Sequence, residues 1–95
     1  MTLDDWLPLA KQGIAEAQYN LGLMYSRGEG VPRDDKEAMR WYRLSAEQGF
    51  AESQTNLGLM YGKGQGVPRD DKEAMRWYID YQQNKESQEP SQILV

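Results

Sequence analysis

The sequence contains no cysteine and no histidine among its 95 residues. The absence of cysteine excludes disulfides, thiol nucleophiles and thiolate metal sites, and it leaves the redox compartment open. The absence of histidine removes the commonest general base near neutral pH, together with Ser-His and Cys-His nucleophile pairs. We therefore expect a protein that is not an enzyme and that uses neither a cofactor nor a metal.

Runs of like charge and long apolar runs are also missing. Eleven basic residues against fifteen acidic ones give a net charge of −4, and neither sign forms a run of five. This argues against nucleic acid as a partner, because phosphate recognition uses clustered Lys and Arg. No stretch reaches about 18 apolar residues, and residues 1–6 lack the basic and apolar regions of a signal peptide. We expect no membrane insertion, and a cytoplasmic location if the N-terminus is native; otherwise the location is unknown.

What the sequence does contain is one dominant repeat. At an offset of 36 residues, Gly13–Arg43 overlays Gly49–Ile79, and 24 of the 31 aligned positions are identical. The stretch GVPRDDKEAMRWY occurs unchanged at Gly30–Tyr42 and at Gly66–Tyr78. A period of this length is typical of a solenoid, in which each unit buries its apolar face by stacking on its neighbours.

Each unit predicts a first helix, helix A, that ends at a glycine-rich break. Apolar or small residues recur in it at spacings of three and four, as an amphipathic helix requires. The pattern predicts helix A over about residues 15–27, before Gly28 and Gly30. The apolar positions are Ala17, Leu21, Met24 and Tyr25 in the first copy and Ser53, Leu57, Met60 and Tyr61 in the second.

The second helix, helix B, is predicted over about residues 35–48. Asp34 is expected to be its N-cap, with Glu37 three residues later, and Gly49 is expected to stop it. The identical Asp34-Asp35 and Asp70-Asp71 pairs therefore favour helix capping over catalysis. Gly28–Gly30 and Gly64–Gly66 favour turns over a phosphate loop, because the Lys-Ser/Thr ending of a P-loop is missing.

A glycine lies in the middle of each helix A, at Gly22 and Gly58. Glycine there costs about 1 kcal/mol relative to alanine, so a gain elsewhere must offset it. We expect that gain to be the close approach of helix B, whose bulky rings pack against the bare backbone. The four rings of helix B are expected to belong to the core rather than to a ligand-stacking site; they are Trp41, Tyr42, Trp77 and Tyr78.

The two ends of the chain differ from the repeats. Trp6–Gly13 overlays Tyr42–Gly49 as the tail of a B helix, and Pro8 fits a helix that begins late, near Asp5. Beyond Tyr81 the polar sequence predicts a fraying helix and a flexible tail. We expect a repeat domain over residues 1–85, with a partial helix at 5–12, repeat one at 13–48 and repeat two at 49–84, and a tail at 86–95.

These positions resemble the Sel1-like repeat family, which is related to tetratricopeptide repeats. The resemblance covers roughly residues 5–81 and implies an all-α fold: a short right-handed α-solenoid of two helix-turn-helix repeats plus a partial N-terminal helix. The matching residues are Ala17, Leu21, Gly22, Tyr25, Gly28, Gly30, Val31, Lys36, Ala38, Trp41 and Tyr42, and in the second copy Leu57, Gly58, Tyr61, Gly64, Gly66, Val67, Lys72, Ala74, Trp77 and Tyr78, with Ser53 in place of the small alanine.

Members of this family resemble one another as adaptor scaffolds, several of them bacterial, and the fold leaves the partner open. By similarity to tetratricopeptide solenoids, the A helices are expected to line a concave groove that holds a peptide or protein. The alternative is an ordinary solvated face. The expected partner-binding residues are Tyr19, Asn20, Leu23, Arg27, Thr55, Asn56, Leu59 and Lys63.

A second class of function also fits the sequence, in which the chain is a structural piece that self-associates or continues a longer solenoid. The last B helix repeats the internal one but has no further repeat to cover it. An apolar flank around Met75, Tyr78 and Tyr81 is therefore expected to need a cover. Either residues 93–95 fold back across it, or a second chain docks there.

Overall fold

The computed structural model of the chain describes residues 1–88. Within this range the chain forms five α-helices, and each helix packs on the next one along the chain. The all-α prediction is confirmed, and the two repeats form a short helical solenoid. The helices are α1 (Leu3–Lys11), α2 (Ala15–Arg27), α3 (Asp35–Glu47), α4 (Ala51–Lys63) and α5 (Asp71–Gln88).

The helix boundaries follow from local chemistry. The carboxylate of Asp34 accepts a hydrogen bond from the backbone N–H of Glu37 at 3.1 Å, and Asp70 caps α5 in the same way. Such caps satisfy amides that have no partner within the helix. α2 ends at Gly28, whose φ of 68° lies in the left-handed region that glycine tolerates best.

Two clusters of buried side chains form the core. One lies between α1, α2 and α3 and includes Leu21 and Trp41. The other joins the two repeats and includes Tyr42, Leu57 and Trp77. The prediction that the rings of helix B belong to the core is thus confirmed for Trp41, Tyr42 and Trp77. It is wrong for Tyr78, which is 55% exposed because no helix packs on that side of α5 within the described residues.

Small residues let one repeat approach the next. The hydroxyl of Ser53 on α4 donates to that of Ser45 on α3 at 2.7 Å, and Ser45 in turn donates to the carbonyl of Ala15 at 2.9 Å. The amide of Gln54 donates to the carbonyl of Ala46 at 3.2 Å. These bonds tie α2, α3 and α4 together where they meet.

The N-terminal helix packs on α2 as a B helix does. The amide of Gln18 donates to the carbonyl of Ala10 at 3.2 Å, which reproduces the bond that Gln54 makes to Ala46 one repeat later. The helix begins at Leu3, two residues before the expected start, and holds Pro8 in its interior. This part of the prediction is wrong. The earlier start is fixed by Asp5, whose carboxylate accepts a hydrogen bond from the backbone N–H of Thr2 at 2.8 Å.

The C-terminal helix is longer than expected. The prediction placed a flexible tail from residue 86, whereas α5 continues to Gln88. Residues 82–88 contain neither Gly nor Pro, and Lys85 stands where Gly49 follows α3, so no residue in this stretch ends the helix. The amide of Asn84 also donates to the carbonyl of Gly49. The rest of the predicted tail, including Ile93–Val95, lies outside the described residues.

The two mid-helix glycines have different neighbours. A Cβ atom added at Gly22 would lie 2.5 Å from two ring carbons of Tyr42, so the expected contact of a ring with the bare helix is confirmed there. At Gly58 the nearest atom is the backbone carbonyl oxygen of Ala74 at 3.3 Å. Helix B does approach Gly58 closely, but the ring of Tyr78 is not what contacts it.

None of the helices within residues 1–88 combines the length and the apolar character needed to cross a bilayer.

Candidate partner-binding groove

A groove runs between α2 and α4, with Tyr42 of α3 at its base. Its volume is about 330 Å³. It brings together two turns of each A helix and the turns that lead into the B helices. The lining residues are Tyr19, Leu23, Ser26, Arg27, Arg33, Asp35, Tyr42, Asn56, Leu59, Met60, Lys63 and Gln65.

Aromatic rings build the base of the groove. The ring of Tyr19 lies 6.1 Å from that of Tyr42 and 5.2 Å from that of Phe50, both tilted, which are favourable separations for aromatic pairs. Tyr42 is only 2% exposed, and its hydroxyl lies 3.2 Å from the hydroxyl of Ser26. Burial raises the pKa of Tyr42, although the hydrogen bonds to Ser26 and Asn56 act in the opposite direction. The base is therefore a neutral, preformed surface.

Two leucines form the apolar part of the walls. Leu23 is partly buried against the core, whereas Leu59 is 52% exposed. Neither is enclosed between the A and B helices. Their positions are equivalent in the two repeats, so the groove presents the same apolar feature twice, one repeat apart.

Cations gather at the end of the groove near the glycine turns. Three cations line this end: Arg27, Arg33 and Lys63. Among the described residues, the lining contains one carboxylate, that of Asp35. Arg33 pairs with Asp35 at 3.3 Å, and Arg27 pairs loosely with Glu29 at 3.6 Å. Both pairs are largely exposed at the guanidinium and contribute little, so their cations can exchange partners readily. The local charge is positive on a chain whose net charge is −4.

Not every predicted partner-binding residue lies in this groove. Asn20 is turned to its own helix, where its amide donates to the carbonyl of Glu16 at 2.9 Å. Thr55 lines an adjoining depression that shares Tyr19 and Asn56 with the groove. The other members of that depression are Ala51, Glu52, Tyr81 and Lys85.

The sequence-based prediction missed several lining residues. Ser26, Tyr42, Met60 and Gln65 belong to the groove, as do Asp35 at the start of α3 and Arg33 just before it. The repeat itself carried no signal for them, because four of the six stand at positions that the pattern assigns to turn, cap or core. Tyr42 reaches the groove because it lies in the core cluster that joins the two repeats.

The described residues offer no site for a catalytic metal, since residues 1–88 contain no group of three or more His, Cys, Asp or Glu placed to hold one. What the groove presents is aromatic surface, two leucines, amides and cations. This set suits recognition of a chain segment by contact, charge and hydrogen bonds.

The residues predicted for self-association occupy two different surfaces. Met75 and Tyr78 are 59% and 55% exposed on the free side of α5. Ile79, which was not predicted, is 48% exposed beside them. Tyr81 instead lies half-buried beside Ala51, in the depression next to the groove, with its ring 6.4 Å from that of Tyr78.

Helical hairpins stacked at a 36-residue period, with a groove along the A helices, define an α-solenoid. The model of the Sel1 repeat family matches residues 15–50 and 51–79. The chain belongs to the Sel1 repeat family, whose helical modules generally serve as protein-interaction scaffolds and are typically non-catalytic.

Two solved bacterial structures are similar to this chain. A Sel1 repeat protein from Oxalobacter formigenes is 39% identical, with a TM-score of 0.82 over 83% of this chain. A protective antigen present in uropathogenic Escherichia coli strains, which displays an SLR fold, is 41% identical, with a TM-score of 0.81 over 82% of this chain. The chain spans 32% and 17% of the lengths of these two proteins.

Proposed function

We propose that the chain is a protein-interaction module that holds an extended peptide segment in the groove between α2 and α4. The observation that supports this most strongly is the concentration of Arg27, Arg33 and Lys63 beside Leu23 and Leu59 on an acidic chain. Arg27 and Arg33 are held only by exposed pairs to Glu29 and Asp35, so both guanidinium groups can turn to a ligand. A ligand that supplies carboxylates and one or two apolar side chains satisfies both features.

The three parts of the groove have separate roles in this proposal. The cations attract the acidic part of the ligand and form charge-assisted hydrogen bonds to its carboxylates. The leucines take its apolar side chains. In this proposal the amide of Asn56, which lines the groove and hydrogen-bonds the Tyr42 side chain, also bonds the ligand backbone.

A purely structural role is the second candidate, and one observation favours it. Met75, Tyr78 and Ile79 are exposed on the free side of α5. An apolar patch of this kind is typical of a helix face that contacts another protein chain. The cleft between α4 and α5 that Met75 and Tyr78 line shares only Leu59 and Thr55 with the residues predicted to bind a partner. The two candidates can therefore be tested separately.

The proposal is tested by selecting binders from a displayed library of random peptides on the immobilised protein. We expect enrichment of peptides that combine Asp or Glu with an aliphatic residue. Their affinity is then measured for a variant carrying Arg27→Glu and Lys63→Glu. Binding should fall at least about tenfold, because two attractive charges become repulsive.

The matched control carries Lys11→Glu and Lys36→Glu, the same change of charge at exposed positions outside the groove. Its affinity should stay within about twofold of the unaltered chain. Equal loss in both variants would mean that only net charge matters. Either that result or a library that yields no acidic peptide would contradict the proposed ligand.

A further inference from the structure

The free side of α5 differs from every other helix face in the described chain by its apolar exposure. Met75, Tyr78 and Ile79 lie within two turns, and each is about half exposed. The equivalents of the first two on α3, Met39 and Tyr42, are 4% and 2% exposed because α4 covers them. The same sequence therefore forms a docking surface in both repeats, and within residues 1–88 only the first is occupied.

The space beside Gly58 on α4 is left unfilled by the ring of Tyr78. In the first repeat the ring of Tyr42 lies on Gly22, whereas in the second the ring of Tyr78 does not fill the equivalent position at Gly58. An apolar cleft remains there. It is lined by Gln54, Thr55, Gly58, Leu59, Asp71, Ala74, Met75 and Tyr78.

Gln54, which lines this cleft, also holds a buried oxygen that has no hydrogen-bond partner within residues 1–88. Gln54 is 5% exposed, and its side-chain oxygen accepts no hydrogen bond from the described residues. In the first repeat the equivalent oxygen of Gln18 accepts one from the amide of Gln48 at 2.9 Å. A buried acceptor without a partner is destabilising, so Gln54 is less well satisfied than its counterpart Gln18 in the first repeat.

The second half of α5 is altered so that a further A helix cannot pack on it as α4 packs on α3. Tyr81 stands at the position of Ser45, where two serine hydroxyls approach to 2.7 Å, and Gln82 stands at the position of Ala46. Lys85 replaces Gly49, and the helix runs straight on to Gln88. A regular third repeat therefore cannot pack on the second half of α5. The first half still carries Met75 and Tyr78, whose equivalents on α3 are covered by α4.

We propose that a second copy of the chain covers this surface, with the two α5 helices antiparallel about a two-fold axis. The charges beside Met75 and Ile79 support this choice: Lys72 and Arg76 lie toward the start of the helix and Asp80 toward its end. Asp71 borders the same surface but is paired with Arg69, and Arg76 is paired with Glu73 while its guanidinium stays exposed. The two-fold axis is placed at the level of residue 77 along α5, midway between Met75 and Ile79. Asp80 of one copy then lies at a level between Lys72 and Arg76 of the other. Measured along the helix, it is about 3 Å from the level of each, at about 1.5 Å per residue. A two-fold axis forms both sets of charge pairs at once.

The dimer is tested by sedimentation velocity on the full chain at concentrations from about 1 µM to 1 mM. Two helix faces of this length form an interface at the small end of the specific range, so we expect dissociation on the order of 10–100 µM. A strictly monomeric chain at the highest concentration would overturn the proposal.

Two variants locate the interface. Met75→Glu should weaken the dimer by about tenfold or more, because it places a charge in the centre of the contact. Leu44→Glu is the matched control, since Leu44 is 41% exposed on α3 and lies outside the proposed contact. Its dimer should be unchanged. A dimer that ignores Met75→Glu, or that responds equally to both substitutions, would rule out the α5 interface.

Complementary charge-reversal variants test the antiparallel arrangement of the two α5 helices, and the result does not depend on the folding of a single variant. The chain with Asp80→Lys and the chain with Lys72→Glu and Arg76→Glu should each be monomeric, because both sets of pairs become repulsive. Mixed together they should form a heterodimer, because both sets become attractive again. If the mixture stays monomeric while each chain keeps the helical circular dichroism of the parent, the antiparallel arrangement is wrong.

Discussion

At the scale of a single residue, Gly22 of α2 and Gly62 of α4 differ in how much space a side chain would have. A Cβ atom at Gly22 would lie 2.5 Å from the Tyr42 ring, whereas one at Gly62 would lie 3.8 Å from the Cβ of Ala74, an ordinary contact. Alanine gains about 0.5–1 kcal/mol over glycine inside a helix at either position. The neighbours therefore decide the sign of the effect.

We expect Gly62→Ala to raise the free energy of unfolding by about 0.5–1 kcal/mol. Gly22→Ala should lower it by about 1–2 kcal/mol, because the Tyr42 ring must move out of a packed core. Urea denaturation of the two variants beside the unaltered chain checks both values. A Gly22→Ala chain that is more stable than its parent would show that the ring can shift without cost.

Tyr42 gives a prediction at alkaline pH. Its pKa is raised in the folded chain, chiefly by burial, above its value of about 10 in the unfolded chain. The unfolded state therefore loses this proton first as the pH rises. The contribution of the neutral hydroxyl is fully present below pH 10 or so and is lost as the pH rises through the folded pKa.

Tyr42→Phe should flatten this dependence. The variant should be less stable than its parent near neutral pH, by about 0.5–1.5 kcal/mol, because Ser26 and Asn56 lose a hydrogen-bond partner. The difference between the two chains should shrink as the pH rises above about 10. Denaturant titrations from neutral to alkaline pH measure it. A difference that grows with pH would contradict the proposed state of the hydroxyl.

At the scale of the helices, the repeat was enough to predict most of the fold. The spacing of apolar residues and the Gly28 break gave the bounds of α2 correctly, and Asp34 marked the start of α3. These signals are local, because a cap or a left-handed glycine acts within one turn of the residue that carries it. Two copies of each signal made the prediction more specific.

The ends of the chain were harder to predict, for a physical reason. Pro8 argued for a late start of α1, yet Leu3, Trp6 and Leu7 pack against the first core cluster and favour an earlier one. The polar residues after Tyr81 argued for fraying, but they are good helix formers with no stop signal. In both places tertiary packing or helix propensity outweighed a single local cue.

The groove was only partly predictable from the sequence. Equivalent positions of the two A helices indicated Leu23, Leu59, Arg27 and Lys63 because these side chains repeat on one face. The roles of Tyr42 and Arg33 depend on how one repeat is stacked on the next, which no single repeat encodes. Asn20 and Asn56 show the same limit: one bonds its own helix and the other joins the groove.

At the scale of the whole molecule, the groove and the proposed dimer contact are neighbouring surfaces. The groove lies between α2 and α4, and the proposed dimer contact lies on the exposed face of α5 around Met75 and Tyr78, next to the cleft between α4 and α5. Leu59 stands between them, because it borders both the groove and the cleft beside Gly58. A peptide bound in one groove would therefore lie next to the second copy.

The measurement that tests the peptide-binding groove most directly is an amide NMR titration of the full chain with the most enriched library peptide. We expect the largest shift changes at Tyr19, Leu23, Asn56 and Leu59, with smaller ones on the outer side of α3 around Leu44. Saturable changes confined to α3 or to the Met75 side of α5, with the groove amides unmoved, would contradict the proposed function.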